Sequence, residues 1–398
     1  MQEHITTLPD PEWYTIADKE ALVVLAEEVY HKEYVAIDTE TTGLSIWKDQ
    51  PLYWSIAFDE RRIAMPINTV VFFRKSFKSP TKKWLLANAK FDMHMLANYG
   101  FPLEGIPVDV AVMHSLIFDS DSHSLKDMSR DMIGLAWSDF TDTFVPKQVY
   151  DATLVTKKAN GKYASHTTPD GATSLVGGMR EETIGEMLRR YEKEDLNTLL
   201  QYASLDAYAT LKLFYMLEET LSTWFTYSLF PHEFKTMHDI YHKSEVPFTR
   251  ALWNCERNGV LIDKEYLRSL TVPMHTRMKE IAIEAARITQ RVDFDISGRK
   301  DKQWYCFEKM GMKPLGYTKG GQSGVRSPKM DGDFFEHYAA EDPICKLFVE
   351  FSTLQKTEST FIQGILRGLD YHSRIHTRFN HNSARTGRLS SSDPNLHT

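Results

Sequence analysis

The apolar run Val35-Ala36-Ile37 stops on Asp38-Thr39-Glu40, and this junction constrains the fold more than any other stretch of the chain. Tyr34–Asp38 reads as a short buried strand that ends in carboxylates. Side chains alternate along a strand, so Asp38 and Glu40 share one face at its end. A buried strand needs neighbours, and the sequence supplies them. Leu52–Phe58 and Arg62–Pro66 read as strands of a meander with Asp59–Arg61 as the turn. Trp84–Ala87 reads as another buried strand, and Phe91–Tyr99 as a helix that Gly100 ends. Strands first and helices later predict an α/β fold, a mixed sheet covered by helices.

Helical spacing returns from Thr183 to Phe225, with Leu196, Leu199, Leu200, Ala203, Ala207 and Leu211 on the repeating face. Between these regions, Val145–Met179 is rich in Thr, Gly, Lys and Ser and reads as a long loop or β-excursion. Tyr227–Pro231 reads as a seam, dividing the chain into domains at 1–227 and 228–398. Beyond it a helix is expected over about Glu233–Asn258, ended by Gly259. A new element starts at Val260–Asp263, Gly316–Pro328 is a loop, Asp342–Leu369 is helical, and the C-terminal stretch is strand-like and then loop-like.

A length of 398 residues suits two or three domains. With 42% hydrophobic and 25% charged residues, the chain has a globular balance and not that of a disordered one. The three cysteines form no close pair, which argues against a disulfide framework or a thiolate zinc site and for a reducing, cytoplasmic setting. No run of about 18 apolar residues is present, so no membrane association is expected. The net charge of −7 is a weak argument against nucleic acid, but the basic residues cluster in the second half. Ile296–Lys329 holds eight basic residues against Asp301 and Glu308, and from Tyr371 onward four arginines face Asp393 alone. Either patch taken alone is better read as a solvated surface.

Two further blocks carry carboxylates. Asn88-Ala89-Lys90-Phe91-Asp92 puts an aspartate just past a buried strand. Tyr202-Ala203-Ser204-Leu205-Asp206 puts a tyrosine and an aspartate at i and i+4, which on one helix share a face. An Asp on the inner side of an apolar helix needs a partner or a cation. Asp38, Glu40, Asp92 and Asp206 together offer oxygen ligands only, which suits Mg²⁺ or Mn²⁺ and not zinc. Two such ions, about 3.5–4 Å apart, activate a water and stabilise the leaving oxygen of a phosphodiester. Tyr202 would orient or help deprotonate that water. Each block also has an ordinary reading: DxE is a common strand end, and Tyr202 alone is an amphipathic core residue.

In this order, DTETTGL, NAKFD and YxxxD resemble the DEDDy group of 3′→5′ exonucleases over roughly Val35–Phe225. The resemblance implies a ribonuclease-H-like fold with Asp38, Glu40, Asp92 and Asp206 as ligands of two metal ions and Tyr202 positioning water. It further implies that Leu44 wedges against the terminal base, that Asn88 and Phe91 contact a single-stranded 3′ end, and that Asp109 supports the site. Val145–Met179 is longer and more polar than that pattern.

Glu245–Asp263 resembles the opening helix of the family A polymerase domain. The basic stretch Ile296–Lys329 then falls in the thumb, where Lys and Arg contact duplex phosphates without reading bases. Phe351–Phe361 resembles the helix before the palm, with Lys356 at its basic position. RIHTRF and TGRLSSSDPNL resemble the family's primer–template segment, which implies DNA contacts by Arg378, Arg385, Thr386 and Arg388. The layout implied is a mainly helical thumb over about 260–370 and the start of an α+β palm over 371–398, with a phage-like compactness. The family's palm carboxylates and fingers lie after this segment, and no 5′-nuclease domain precedes it. The expectation is therefore an exonuclease joined to part of a polymerase, with a second chain supplying the rest. The other readings are a non-catalytic DNA-binding or assembly subunit and a fragment of a longer chain.

Overall fold

The computed structural model describes residues 7–151, 165–167, 173–175, 178–224, 234–318, 326–384 and 386–396. It divides into two compact units, one of residues 1–257 with 380–390 and one of residues 258–379 with 391–398.

The first unit is built on a six-stranded mixed sheet. Its strands are β1 (Pro11–Trp13), β2 (Tyr34–Thr41), β3 (Pro51–Phe58), β4 (Arg61–Pro66), β5 (Lys83–Leu86) and β6 (Ile106–Asp109), in the order β1-β4-β3-β2-β5-β6. The meander β2-β3-β4 is antiparallel, with Asp38 opposite Ser55 and Glu40 opposite Tyr53. The β2-β5-β6 side is parallel. The turn is tighter than the sequence suggests. Asp59 takes the left-handed conformation at φ 50°, and Arg61 already belongs to β4.

Both faces of the sheet are covered, and the alternation along β2 sorts its residues between them. Val35 and Ile37 join Trp54, Ile56, Phe58, Trp84 and Leu86 under α1 (Lys19–His31) and α2 (Ala89–Asn98). Ala36, Ala57, Leu85 and Val108 face the other way, onto α3 (Val110–Ser115) and a longer helix that carries Leu211, Phe214 and Leu217. Alanines at 36 and 57 leave room for that helix to lie close to the strands. The even-numbered face of β2 is thus the one that continues into Asp38 and Glu40.

The helical stretch after residue 183 is three helices: α4 (Ile184–Glu194), α5 (Leu196–Ala203) and α6 (Leu205–Thr223). Tyr202 and Asp206 therefore do not lie on one unbroken helix as their spacing suggests. The break is at Ser204, whose hydroxyl donates to the Leu200 carbonyl at 2.6 Å, a back-bond that bends helices.

The expected helix ending at Asn258 is also interrupted. A short turn at Met237–Ile240 leads into a π-helical turn at Tyr241–Glu245, and α7 (Val246–Asn258) follows. Pro247 explains the irregularity. It lacks the N–H that a regular helix would direct to Lys243, and its ring crowds that carbonyl. The expected seam at Tyr227–Pro231 lies outside the described residues. Of Val145–Met179, the described parts include Gln148–Asp151, which pairs antiparallel with Gly178–Glu181, and the short pair Ser165–Thr167 with Thr173–Leu175.

The second unit is mainly helical. Its core joins Ile281 and Ala285 of α8 (Thr271–Thr289) to Phe294, Tyr305, Phe334, Phe335 and Phe348, the last from α9 (Pro343–Lys356). Gly259, at φ 61°, turns the chain into Val260–Leu261, which pairs with Arg374–Ile375. The Asp342–Leu369 stretch is helical as expected, with a π-helical turn at Thr357–Ile362. The three cysteines are free. Among the described residues no helix is long and apolar enough to cross a membrane.

Gly105 leads into β6 where a side chain has no room. A Cβ there would collide with the Lys82 carbonyl, which is fixed by accepting the Ile106 N–H at 2.8 Å. Gly105→Ala is expected to lower stability by about 1–3 kcal/mol, read as a reduced urea midpoint at unchanged slope.

Candidate functional site

Asp38 and Glu40 are half-buried at the end of β2. Asp206, in the first turn of α6, stands on the face that α6 covers, and its Oδ1 is buried without a hydrogen-bond partner. Asp92 comes from α2 on the opposite face and is 2% exposed. Thr39, between the two carboxylates of β2 and on the α2 side, donates its hydroxyl to Asp92 Oδ1 at 2.6 Å. One strand end thus gathers acids from both layers.

The acids perturb one another. Burial, then Asp92, Asp206 and Glu40 in that order, hold the Asp38 carboxyl well above the usual range. Burial and the charges of Asp206 and Asp92 push Glu40 up to about 8. Burial lifts Asp92 to about 7 against the opposing hydrogen bond from Thr39. Asp206 rises to about 6, again through burial, with the Lys126 ammonium pulling the other way.

Nothing in the sequence flags Lys126 or Trp137. Lys126 lies in a one-turn helix, donates to the Ser138 carbonyl and to Asp139 at 2.8 Å each, and sits 5.6 Å above the Tyr202 ring. The Trp137 indole N–H is near enough to lower the pKa of Asp206, yet it makes no hydrogen bond of normal geometry.

Tyr202, at the end of α5, is held edge-on by Phe140 and Phe144, with centroids 5.8 Å and 5.1 Å away. Burial first, and then Glu40, Asp206 and Asp38, raise its pKa far above that of a free phenol. It is a neutral hydroxyl here, able to orient a water but poorly suited to take its proton.

Asp109 is buried and anchors the second block. Its carboxylate accepts the N–H of Asn88 at 3.0 Å, of Ala89 at 2.8 Å and of Ala111 at 3.0 Å. That fixes the start of α2, and with it Asp92, although Asn88 takes the left-handed φ of 60°. The Asn88 side chain does not cap the helix and is exposed, and Phe91 is half-buried. α2 is held from behind as well: Glu256 of α7 pairs with Lys90 and lies 2.8 Å from His94 Nε2.

Leu44 is 77% exposed on the turn after β2. Asp49 organises that turn, accepting the Thr42 hydroxyl and the Ser45 N–H at 2.9 Å each. A Cβ at Gly43 would come within 2.6 Å of the Asp49 carboxylate, so a side chain there would displace the group that organises the turn.

The donor set of the acids is all oxygen, which fits a hard divalent cation. The unpartnered Asp206 oxygen and the mutual repulsion are what such a cation would satisfy. The four carboxylates do not close to the spacing of a one-ion cluster. Among the described residues the group within 4.8 Å of one another is Glu218, His238 and His242.

The expected primer–template residues divide between the units. Lys356 is exposed and Arg378 half-buried in the second, whereas Thr386 and Arg388 are exposed and belong to the first. Arg385 lies outside the described residues. Of the eight basic residues of Ile296–Lys329, expected in the thumb, Lys319 is likewise outside, and Lys302 is half-buried over Phe335 and Phe348.

Residues 14–166 match the 3′-5′ exonuclease family, and residues 264–398 match DNA polymerase family A. Tyr202 and Asp206 fall between the two matches, so their place rests on geometry alone. DNA polymerase I of Chloroflexus aurantiacus is 24% identical over 98% of this chain and 38% of its own length. That of Synechocystis sp. is 27% identical over 78% of this chain and 26% of its own. The chain therefore spans well under half the length of these relatives. Nearly all of it aligns within one Chloroflexus polypeptide, which lends no support to a second chain. The POL domain of Pol1 from M. smegmatis, in complex with DNA primer-template and dNTP, shares the fold with a TM-score of 0.64. It is 18% identical, over 97% of this chain and 55% of that one. The chain joins a 3′-5′ exonuclease domain, over residues 14–166, to the start of a family A DNA polymerase domain, over residues 264–398.

Proposed function

We propose that the chain hydrolyses DNA from the 3′ end at the Asp38–Glu40–Asp92–Asp206 cluster and serves replication as a proofreader. The convergence of four acids on one strand end, with one buried oxygen left unpartnered, carries this reading. Asp38, Glu40, Asp92 and Asp206 would hold two Mg²⁺ or Mn²⁺ ions, which supply an activated water and charge stabilisation of the leaving oxygen. Tyr202 orients the water through its neutral hydroxyl. Leu44 and Phe91 stack on the last bases and Asn88 contacts the strand, a mode tolerant of sequence.

The same reading gives the second half a role in holding primer–template duplex. The M. smegmatis structure contains primer-template and dNTP, and this chain shares its fold. Exposed Arg299, Lys300, Lys309 and Lys313 offer phosphate contacts in the thumb. Lys356, Arg378, Arg385, Thr386 and Arg388 would hold the duplex near the insertion site.

Digestion of a 5′-labelled single-stranded oligonucleotide in Mg²⁺ tests the exonuclease. A ladder shortening from the 3′ end is expected, lost in Asp38→Ala and Asp206→Ala. Tyr202→Phe is expected to slow it by about 10²-fold or more, because water positioning is lost and the ligands remain. Near-normal rates in the two aspartate variants, with the fold intact, would sink the assignment.

Raised carboxylate pKa values also set a stability profile without metal. Between the usual carboxylate range and about 8, the folded chain holds protons on these acids that the unfolded chain has released. Their contribution is full below the unfolded pKa and is lost as pH rises through about 6, 7 and 8. In chelator, the parent should lose more stability between about pH 5 and 8.5 than Asp38→Asn/Glu40→Gln. Added Mg²⁺ should restore the parent at the upper pH only. Equal slopes in urea melts of the two proteins would contradict the electrostatic account.

A further inference from the structure

A second cluster of ligand-type side chains lies away from the acids, on the helices that close the first unit. Glu218 is near the end of α6, and His238 and His242 are one turn apart in the segment leading to α7. Both imidazoles aim at the same carboxylate oxygen. His238 Nε2 lies 2.8 Å and His242 Nε2 3.0 Å from Glu218 Oε1. The two rings are 4.2 Å apart between centroids, and all three groups are partly buried, at 25%, 36% and 22% exposure for Glu218, His238 and His242.

The segment is fixed independently of these contacts. Tyr241, between the histidines, is 1% exposed, and its hydroxyl accepts the Asp109 N–H at 2.6 Å. Thr236 and Asp239 form a capping box at the start of the turn, and the Met237 N–H donates to the Trp224 carbonyl at 2.9 Å. The neighbouring ammonium of Lys243 is engaged 2.7 Å from Asp239. Burial raises the pKa of Glu218, but the hydrogen bonds from His242 and His238 outweigh it, so the carboxylate is ionised at neutral pH.

We propose that Glu218, His238 and His242 form a binding site for a borderline divalent cation of the zinc class, with a water as fourth ligand. Two imidazole nitrogens and one carboxylate oxygen are the donors such ions prefer over Mg²⁺. Ligand atoms around a tetrahedral zinc sit about 3.3 Å apart, given bonds of about 2.0–2.1 Å. The two imidazole–carboxylate contacts, at 2.8 and 3.0 Å, need to open by only a few tenths of an ångström, with each imidazole neutral and its proton carried on Nδ1. A cation there ties the end of α6 to the chain entering α7.

The oxygen cluster also takes divalent ions, so the test silences it. The full chain carrying Asp38→Asn/Asp206→Asn is titrated with Zn²⁺ by calorimetry and with Co²⁺ by visible absorption. One equivalent should bind with micromolar or tighter affinity, and Co²⁺ should give the intense bands of a four-coordinate site. Adding His238→Gln/His242→Gln should abolish both signals. Glu218→Gln keeps an acceptor for the imidazoles, and so guards against simple misfolding; it should weaken Zn²⁺ binding by more than about tenfold. Unchanged binding in either variant, or no binding by the parent with its circular dichroism intact, would overturn the proposal and leave a hydrogen-bonded triad.

Discussion

The repulsion among carboxylates at the end of one buried strand is the constraint on which the first unit turns. Four acids held there without a cation oppose folding at neutral pH, because each raises the cost of ionising the others. The surroundings do little to relieve it. Lys126 offers one positive charge nearby but spends its hydrogen bonds on Ser138 and Asp139. The rest of the unit is stiff where the cluster needs it to be. Strand β2 is hydrogen-bonded on both sides, and both its faces are covered by helices.

Other buried acids of this unit are treated differently, and the contrast separates support from site. Asp109 faces three backbone N–H groups at the starts of two helices, a favourable place for negative charge. Glu256 meets Lys90 and His94, both on the helix that carries Asp92. Both acids meet donors or cations supplied by the fold, although burial still raises the pKa of Asp109, and what they stabilise is the position of α2. Asp38, Glu40 and Asp206 receive no comparable compensation. Removing Asp109 or Glu256 leaves buried donors or cations unpaired, so both hold the site in place, and the charge of Asp109 adds to burial in raising the pKa of Asp92.

Short apolar runs made the sheet legible in the sequence, since strands covered on both faces, such as β2 and β3, carry apolar residues in succession. Period-two alternation then placed Asp38 and Glu40 on one face. The spacing of Tyr202 and Asp206 was readable, but the helix break was not. It depends on a hydroxyl at Ser204 turning back to Leu200, and serine does the same in many unbroken helices. Pro247 stood in plain sight inside a predicted helix, yet a proline there does not announce whether the result is a kink or a π-turn. Lys126 and Trp137 were invisible because their roles arise from tertiary approach across the fold. The Glu218, His238 and His242 convergence was hidden for the same reason, although the i, i+4 histidines were readable.

The break at Ser204 has a mechanical consequence. On one unbroken helix, Tyr202 and Asp206 would move together and any tilt would carry both. Here they answer to different neighbours. The Tyr202 ring is set by Phe140 and Phe144, in a cluster that also contains Leu188 and Leu199. Asp206 is set by α6, whose Ala207, Leu211 and Phe214 share the core with Ala36 and Ala57 of the sheet. The carboxylate is therefore locked to the strand that bears Asp38 and Glu40, and the phenol to a separate aromatic layer. On the proposed mechanism, metal ligation would need the first arrangement to be rigid. A hydroxyl that only orients a water would tolerate the second, and its alignment could change within the aromatic layer without disturbing the acids.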